Sequence, residues 1–217
     1  MEEKVLGEGE FGQVKLVTGA SGLSTGKQFA AKIIKKGYVF KNNTILTPVK
    51  PEYIVRECQI LKALDGMHHT MKLIGLYEGA REIYIVSELL TGGEMRDWLV
   101  KKETSELRTE DVSRIAHELL DAINYCHSKG VIHRDLKPEN VMFEDLSDDA
   151  SLKIIDFGSS SMDPSDEVDL THNTFAGSAF YVSPEMFLQM NKTDKTPPYS
   201  AKTDIWSIGE LRKGVIF

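Results

Sequence analysis

Three stretches of this 217-residue chain carry side chains or backbone of a kind that does chemistry. The first, Leu6-Gly7-Glu8-Gly9-Glu10-Phe11-Gly12-Gln13-Val14, spaces its glycines as Gly-x-Gly-x-x-Gly-x-Val. Glycines at that density let backbone N–H groups approach a phosphate in turns that a Cβ forbids. Alone, the pattern is equally that of a plain tight turn. A dinucleotide-binding oxidoreductase needs a helix directly after the glycines, but Val14-Lys15-Leu16-Val17 alternates like a strand, which favours a hairpin folded over a nucleotide. The second feature is a pair. Lys32 follows Ala30-Ala31 inside the apolar run Phe29 to Ile34, where a lysine ordinarily snorkels to water. Glu57 lies three residues after Ile54, four before Leu61 and beside Cys58, on the apolar face of a predicted helix, and an inward acid needs a partner. Lys32 is the natural one, and the pair would hold the ammonium against α- and β-phosphates. The third is Val131-Ile132-His133-Arg134-Asp135-Leu136-Lys137-Pro138-Glu139-Asn140 followed by Leu152-Lys153-Ile154-Ile155-Asp156-Phe157-Gly158. A lone loop aspartate is ordinarily a cap or a solvated charge, so this stretch takes its meaning from the other two.

The elements that must position these residues change character along the chain. Short β-rich runs, Val14 to Val17, Phe29 to Ile34 and Ile83 to Val86, predict hairpins of a small sheet. One helix interrupts them, starting at Pro51, running to about Leu64 and stopped by Gly66. From residue 94 the period becomes helical: Val112, Ile115, Ala116, Leu119, Leu120 and Ile123 form one predicted buried stripe, with Thr109 as N-cap, Glu110 and Asp111 at the positive end, and Lys129-Gly130 as the stop. Thr91-Gly92-Gly93 reads as a flexible joint, so the boundary falls between 1–90 and 91–217.

Taken together and in order, the glycine loop, Lys32, Glu57, His133-Arg134-Asp135 and Asp156-Phe157-Gly158 resemble the eukaryotic protein kinases from Leu6 to about Gly209. The resemblance implies one α+β, bilobal kinase domain over 1–217, with a small antiparallel sheet and one helix in the N-lobe (1–90) and a mainly helical C-lobe (91–217). It implies ATP and Mg²⁺ as cofactors: Asp135 orients the substrate hydroxyl and takes its proton, Asn140 and Asp156 ligate the metal, and Lys137 reaches the transferred phosphoryl group. Val14, Ala30 and Met142 sandwich the adenine, Glu88 and Leu90 offer backbone groups to its edge, Glu94 faces the ribose, and Ser87 holds the gatekeeper position. Lys137 in Asp-Leu-Lys-Pro-Glu-Asn points to serine/threonine rather than tyrosine kinases. Thr174 matches the phosphorylated activation-segment position, with Arg134 as partner for its phosphate. The acids Asp163, Asp166, Glu167 and Asp169 fit either an activity that need not depend fully on that phosphate or, equally, a loop merely kept soluble by its charges. Ser178 matches the position that contacts the residue after the phosphoacceptor. Glu94 and Glu139 match acids that receive upstream arginines in basophilic kinases. Thr-Gly-Gly-Glu at 91–94, the Cys-His-Ser-Lys-Gly approach to His133 and Lys-Ile-Ile-Asp-Phe-Gly look most like the calcium/calmodulin-dependent group.

Composition bounds the alternatives. Lys plus Arg is 26 against 33 for Asp plus Glu, a net charge of −7, and residues 1–90 carry +2 while residues 91–217 carry −9. An acidic second half argues against nucleic acid and would attract a basic peptide, although on charge alone a merely solvated surface is the better reading. No run is long and apolar enough to span a membrane, the N-terminus lacks signal-peptide order, and Cys58 and Cys126 have no metal-ligand spacing, so a cytoplasmic protein, or a nuclear one, with buried free thiols is expected. No twelve-residue calcium loop occurs in the chain. The family pattern fails after Gly209: Glu210-Leu211-Arg212-Lys213-Gly214 should leave the usual helix, the remaining C-lobe helices and the arginine partner of Glu185 are missing, and the helix around Leu119 should lose cover. The competing expectation is therefore a truncated, noncatalytic kinase-like module that binds nucleotide or partners.

Overall fold

The computed structural model describes residues 4–9, 12–37, 39–41, 44–46, 49–102, 108–162, 180–190 and 200–216. The chain divides into two units, Met1–Lys62 with Met71–Leu89, and Ala63–Thr70 with Leu90–Phe217. The segment 63–70 thus sorts with the second unit, although it lies inside the residues expected to form the first.

In the first unit β1 (Val5–Gly9), β2 (Gly12–Thr18), β3 (Gln28–Lys35), β6 (Leu73–Glu78) and β7 (Glu82–Glu88) form an antiparallel sheet in the order β1-β2-β3-β7-β6. A separate hairpin joins β4 (Val39–Lys41) and β5 (Thr44–Leu46). Helix α1 (Pro51–Ala63) begins at the proline the sequence marks. Gly66, past its end, has a φ of 97°, a left-handed value that a residue bearing Cβ rarely takes. Ile54, Glu57, Cys58 and Leu61 recur at helical spacing on its buried face. Ile54 and Cys58 pack with Ile34 and Ile85 of the sheet, flanked by Val49, Leu73 and Ile83. Each such aliphatic side chain withdrawn from water contributes about 1.5–3 kcal/mol, which is what holds the helix to the strands.

The second unit contains α2 (Met95–Lys101), α3 (Thr109–Ser128), the antiparallel pair β8 (Val141–Phe143) and β9 (Leu152–Ile154), α4 (Pro184–Met190) and α5 (Lys202–Ile216). Helix α3 packs against α5 and β9, while Ile132 and Met186 bury each other under Val182 and Ala201. The fold is therefore α+β, with strands dominating the first unit and helices the second. No described helix is long and apolar enough to cross a membrane.

Four expectations need correction. Arg108, not Thr109, is the N-cap of α3, and Thr109 is its first helical residue. The buried stripe of α3 is Asp111, Ile115, Glu118, Leu119, Ala122, Ile123 and Cys126, and Leu120 is exposed. An apolar count cannot see this rotation, because Asp111 and Glu118 enter the interior with partners: Arg108 grips Asp111 through two bonds of 3.0 and 2.9 Å. Leu119 itself stays covered, at 2% exposure. Finally, α5 runs on to Ile216. Gly214 lies two residues from its end, where it costs about 1 kcal/mol at most.

Candidate functional site

The glycine stretch forms the β1–β2 hairpin, pairing Gly7 with Val14, Glu8 with Gln13 and Gly9 with Gly12, with Leu6 at an irregularity in the register. Glu10 and Phe11 lie outside the described residues. Gln13 Nε2 donates to Glu8 Oε1 at 3.0 Å across the pair. Gly12 has a φ of 150°, and a Cβ there would run into the Ile33 carbonyl oxygen, so the close approach of β2 to β3 requires glycine.

Sheet register then sorts the neighbouring residues by face. Val14 sits opposite Lys32 and Leu16 opposite Ala30, while on the other side Lys32 faces Ile85 and Ala30 faces Ser87. Opposed residues share a face and so do residues two apart, so Val14, Ala30, Lys32, Ser87 and Ile34 all lie on one side. That is the side α1 covers: Ile34 packs on Ile54 and Cys58, and Lys32 Nζ meets Glu57 Oε1 at 3.0 Å and Oε2 at 3.3 Å. The lysine side chain keeps 20% exposure and the glutamate 5%. Cys58 beside this pair is pushed up to about 11 by burial first and Glu57 second, so it is an uncharged thiol at neutral pH. At the end of β7, Glu88 Oε1 accepts the Lys72 N–H at 2.7 Å, and Ser87 is buried with its hydroxyl on the Glu88 carbonyl at 3.3 Å.

In the second unit Thr91-Gly92-Gly93 is not a loose joint. Thr91 N–H donates to Glu144 O at 2.9 Å, Gly92 N–H to Phe143 O at 3.1 Å, and Phe143 N–H to Gly93 O at 3.0 Å. A Cβ on Gly92 would collide with Asp145 O and Phe143, so this glycine serves close packing. Glu94 continues the pairing as a bridge to Met142, which is half-buried in β8. Leu90, just before this segment, is half-buried.

The loop 131–140 is held by its backbone. Asp204 of α5, fully buried, accepts the His133 N–H on Oδ2 and the Arg134 N–H on Oδ1, both at 2.9 Å. His127 Nε2 lies 2.8 Å from the same Oδ2. The next N–H, of Asp135, donates to His133 Nδ1 at 3.3 Å, which places the ring proton on Nε2, directed at Ile155 O at 3.3 Å. His133 also meets Phe157 edge to face, with centroids 5.0 Å apart. The Asp135 carboxylate thereby emerges from a fixed backbone. Its Oδ2 accepts Lys137 Nζ at 2.8 Å and Asn140 Nδ2 at 3.0 Å, and Asn140 Nδ2 also donates to Asp135 O at 2.7 Å.

Both described non-glycine residues with positive φ belong to this region: Arg134 at 70° and Asp156 at 58°. Left-handed backbone costs such residues of order 1 kcal/mol or more and persists only where the surroundings over-determine it. For Arg134 the surroundings are Asp204 on its N–H and the carbonyls of Ser159 and Ser160 on its guanidinium, at 2.6 and 3.3 Å. For Asp156 they are the Ile155 N–H on Asn140 O at 2.9 Å and Asp156 Oδ1 on the Gly158 N–H at 3.4 Å. Thr174, Ser178 and the acids 163–169 lie outside the described residues.

A second group is acidic. Glu139 Oε1 stands 3.7 Å from Arg96 Nε, while Oε2 is buried without a hydrogen bond. Glu94 is held above the ordinary carboxylate range by burial, then by Asp97 and Glu139, with Arg96 opposing. Tyr181 is raised by burial, Glu139 and Glu210. Glu185 is only half-buried, so it does not carry the penalty expected for a buried unpaired acid. Sequence reasoning missed His127 and Glu118. Their partners lie 77 and 34 residues away, and no local spacing announces such a contact.

The family whose model is described as protein kinase domain matches residues 1–213. The chain is 36% identical over 208 residues to CDPK-related kinase 3 of Arabidopsis thaliana, covering 96% of this chain and 32% of that protein. It is 33% identical over 206 residues to calcium/calmodulin-dependent serine/threonine-protein kinase 1 of Oryza sativa subsp. japonica, covering 95% and 31%. Against calcium-dependent protein kinase 11 of the same rice the figures are 34% over 208 residues, 96% and 32%. The chain thus spans about a third of the length of these relatives.

Proposed function

We propose that this chain, which belongs to the protein kinase domain family, transfers the γ-phosphoryl group of Mg·ATP to Ser or Thr hydroxyls of basic protein substrates. The observation that carries the reading is the Asp135 carboxylate, set on a backbone pinned by Asp204 and flanked by Lys137 and Asn140. A carboxylate so placed orients a hydroxyl and takes its proton, while the Lys137 ammonium offsets charge on the transferred group. Lys32, steadied by Glu57, supplies a fixed cation for phosphate oxygens.

The donor set fits magnesium. Mg²⁺ takes one or two protein oxygens and completes its shell with water and phosphate. Asn140 spends its Nδ2 protons on Asp135, which directs Oδ1 elsewhere as a hard ligand, and the Ile155 N–H on Asn140 O ties that residue to the segment bearing the Asp156 carboxylate. When bound, Mg·ATP supplies the activated phosphoryl group; Asp156 and Asn140 would hold the metal.

Glu94 and Glu139 support the preference for basic peptides. One is held unfavourably charged and the other has a buried oxygen without a donor, so an incoming guanidinium would relieve both. The names of the relatives, which specify serine/threonine and calcium-dependent kinases, agree with the choice of hydroxyl.

The test is transfer of labelled phosphate to acidic and basic Ser/Thr peptides, with and without chelator and with Asp135→Asn as control. Metal-dependent transfer to the basic set, abolished by Asp135→Asn, is expected. Nucleotide binding without transfer would instead assign the chain to a noncatalytic module, and equal turnover of both peptide sets would refute the substrate preference.

A further inference from the structure

Strand β9 is three residues long and ends two residues before Asp156. One edge pairs with β8, Phe143 to Leu152, Met142 to Lys153 and Val141 to Ile154. Among the described residues the other edge has no strand beside it, only an isolated bridge from Ile154 to Thr70, yet its backbone groups are engaged. Leu152 N–H donates to Glu118 Oε2 at 2.8 Å, Leu152 C=O lies 3.1 Å from His69 Nδ1, and Ile154 N–H donates to His69 O at 2.9 Å. A carboxylate from α3 and one residue of the 63–70 segment therefore do the work of a third strand.

Glu118 is itself built in. It is buried on α3, and Arg114 one turn earlier donates from Nη1 to Glu118 Oε1 at 3.1 Å and to Ala150 O at 2.9 Å. His69 Nδ1 stands 3.6 Å from Glu118 Oε2. On the opposite face of β9, Lys153 Nζ donates to His68 O at 2.7 Å and sits 3.2 Å from Glu144 Oε1. Charge-assisted bonds of this kind are about twice as strong as neutral ones, and removing the acceptor would orphan the Leu152 N–H and leave the Arg114 guanidinium with the Ala150 carbonyl but without its counter-charge.

We infer that Glu118, fixed by Arg114, is a positioning residue for Asp156: by gripping the Leu152 N–H it sets the register of β9 and hence where Asp156 presents its carboxylate. A shift of one residue in so short a strand would turn every following side chain to the other face. The inference rests on the reading of Asp156 as a metal-holding acid. It separates from a merely structural role, because a structural role lowers stability without changing how much Mg²⁺ strengthens nucleotide binding.

The experiment uses the whole chain and a fluorescent ATP analogue, titrated with Mg²⁺ and with EDTA, alongside amide exchange at Leu152 and Ile154. For Glu118→Leu the ratio of the two dissociation constants falls about tenfold. Affinity in EDTA stays within about twofold, and the Leu152 amide exchanges faster. Glu118→Gln, which keeps a carbonyl acceptor, retains the ratio within about twofold. Should Glu118→Leu fail to fold, Arg114→Gln serves, with a fall of about threefold expected, since it loosens the carboxylate without removing it. An unchanged ratio in a folded Glu118→Leu, or in Arg114→Gln where that variant stands in, overturns the inference alone. A fall in Glu118→Gln as large as in Glu118→Leu overturns it as well. A wild-type chain whose nucleotide affinity ignores Mg²⁺ overturns the functional reading and this inference with it.

Discussion

Lys32 of the first unit and Asp135 of the second are both charges to which the proposed function assigns chemistry, but they are held in opposite ways. Lys32 is fixed by its own charge: a strand brings it to the face that α1 covers, and the Glu57 carboxylate does the rest at 3.0 Å. Asp135 is fixed by its backbone. Three successive N–H groups, of His133, Arg134 and Asp135, are tied to Asp204 and the His133 ring before its side chain is reached. The difference teaches where mutations should act. A part-exposed ion pair contributes little to stability and can contribute much to function. A buried carboxylate that satisfies two backbone donors belongs to the fold itself.

The comparison can be broken or sharpened at four points. The largest effect is expected for Asp204→Ala, which leaves the His133 and Arg134 N–H groups and His127 without their acceptor. Urea unfolding should show a loss of about 3–5 kcal/mol, and a loss below about 1 kcal/mol would remove the distinction between the two regions. Lys32→Met should do the reverse, lowering transfer by a hundredfold or so while the unfolding midpoint reports a change of at most about 1 kcal/mol. Gly12→Ala tests whether the β1–β2 hairpin tolerates a Cβ against Ile33 O. About 1–3 kcal/mol should be lost, measured by thermal unfolding. The smallest effect concerns Glu94, whose folded-state carboxyl titrates above its unfolded value because of burial, Asp97 and Glu139. An acid shifted upward disfavours the fold where it is ionised, and the penalty fades as pH falls through the raised value. Glu94→Gln should therefore raise the melting temperature slightly at pH 7, by less than about 1 kcal/mol equivalent, and the gain should shrink on acidification.

How much of this was legible beforehand follows from what spacing can encode. Strand β3, helix α1 and the end of α3 at Gly130, whose φ is 75°, follow from periodicity and stop signals. The facing of Lys32 and Glu57 follows because a strand residue among apolar neighbours and an acid on an apolar helix face each need a partner. Strands β4, β5 and β6 escape notice, being short or broken by glycine, as at Gly75, while β1 enters only as the other arm of the expected glycine hairpin. The N-cap at Arg108, the buried Asp111 and Glu118 and the pinned Thr91-Gly92-Gly93 are invisible to spacing for one reason. Each is settled by a hydrogen-bond partner distant in space or of the wrong type for an apolar count. The same blindness hides His127, whose carboxylate partner is 77 residues away.

The most direct test sets wild type, Lys32→Met and Asp135→Asn side by side, each assayed for phosphate incorporation into a serine peptide and for its unfolding midpoint. The account predicts full incorporation in the wild type alone, about a hundredfold less in Lys32→Met, none above background in Asp135→Asn, and Lys32→Met within about 1 kcal/mol of wild-type stability. Incorporation by Asp135→Asn equal to that of the wild type, or none by the wild type, would contradict it.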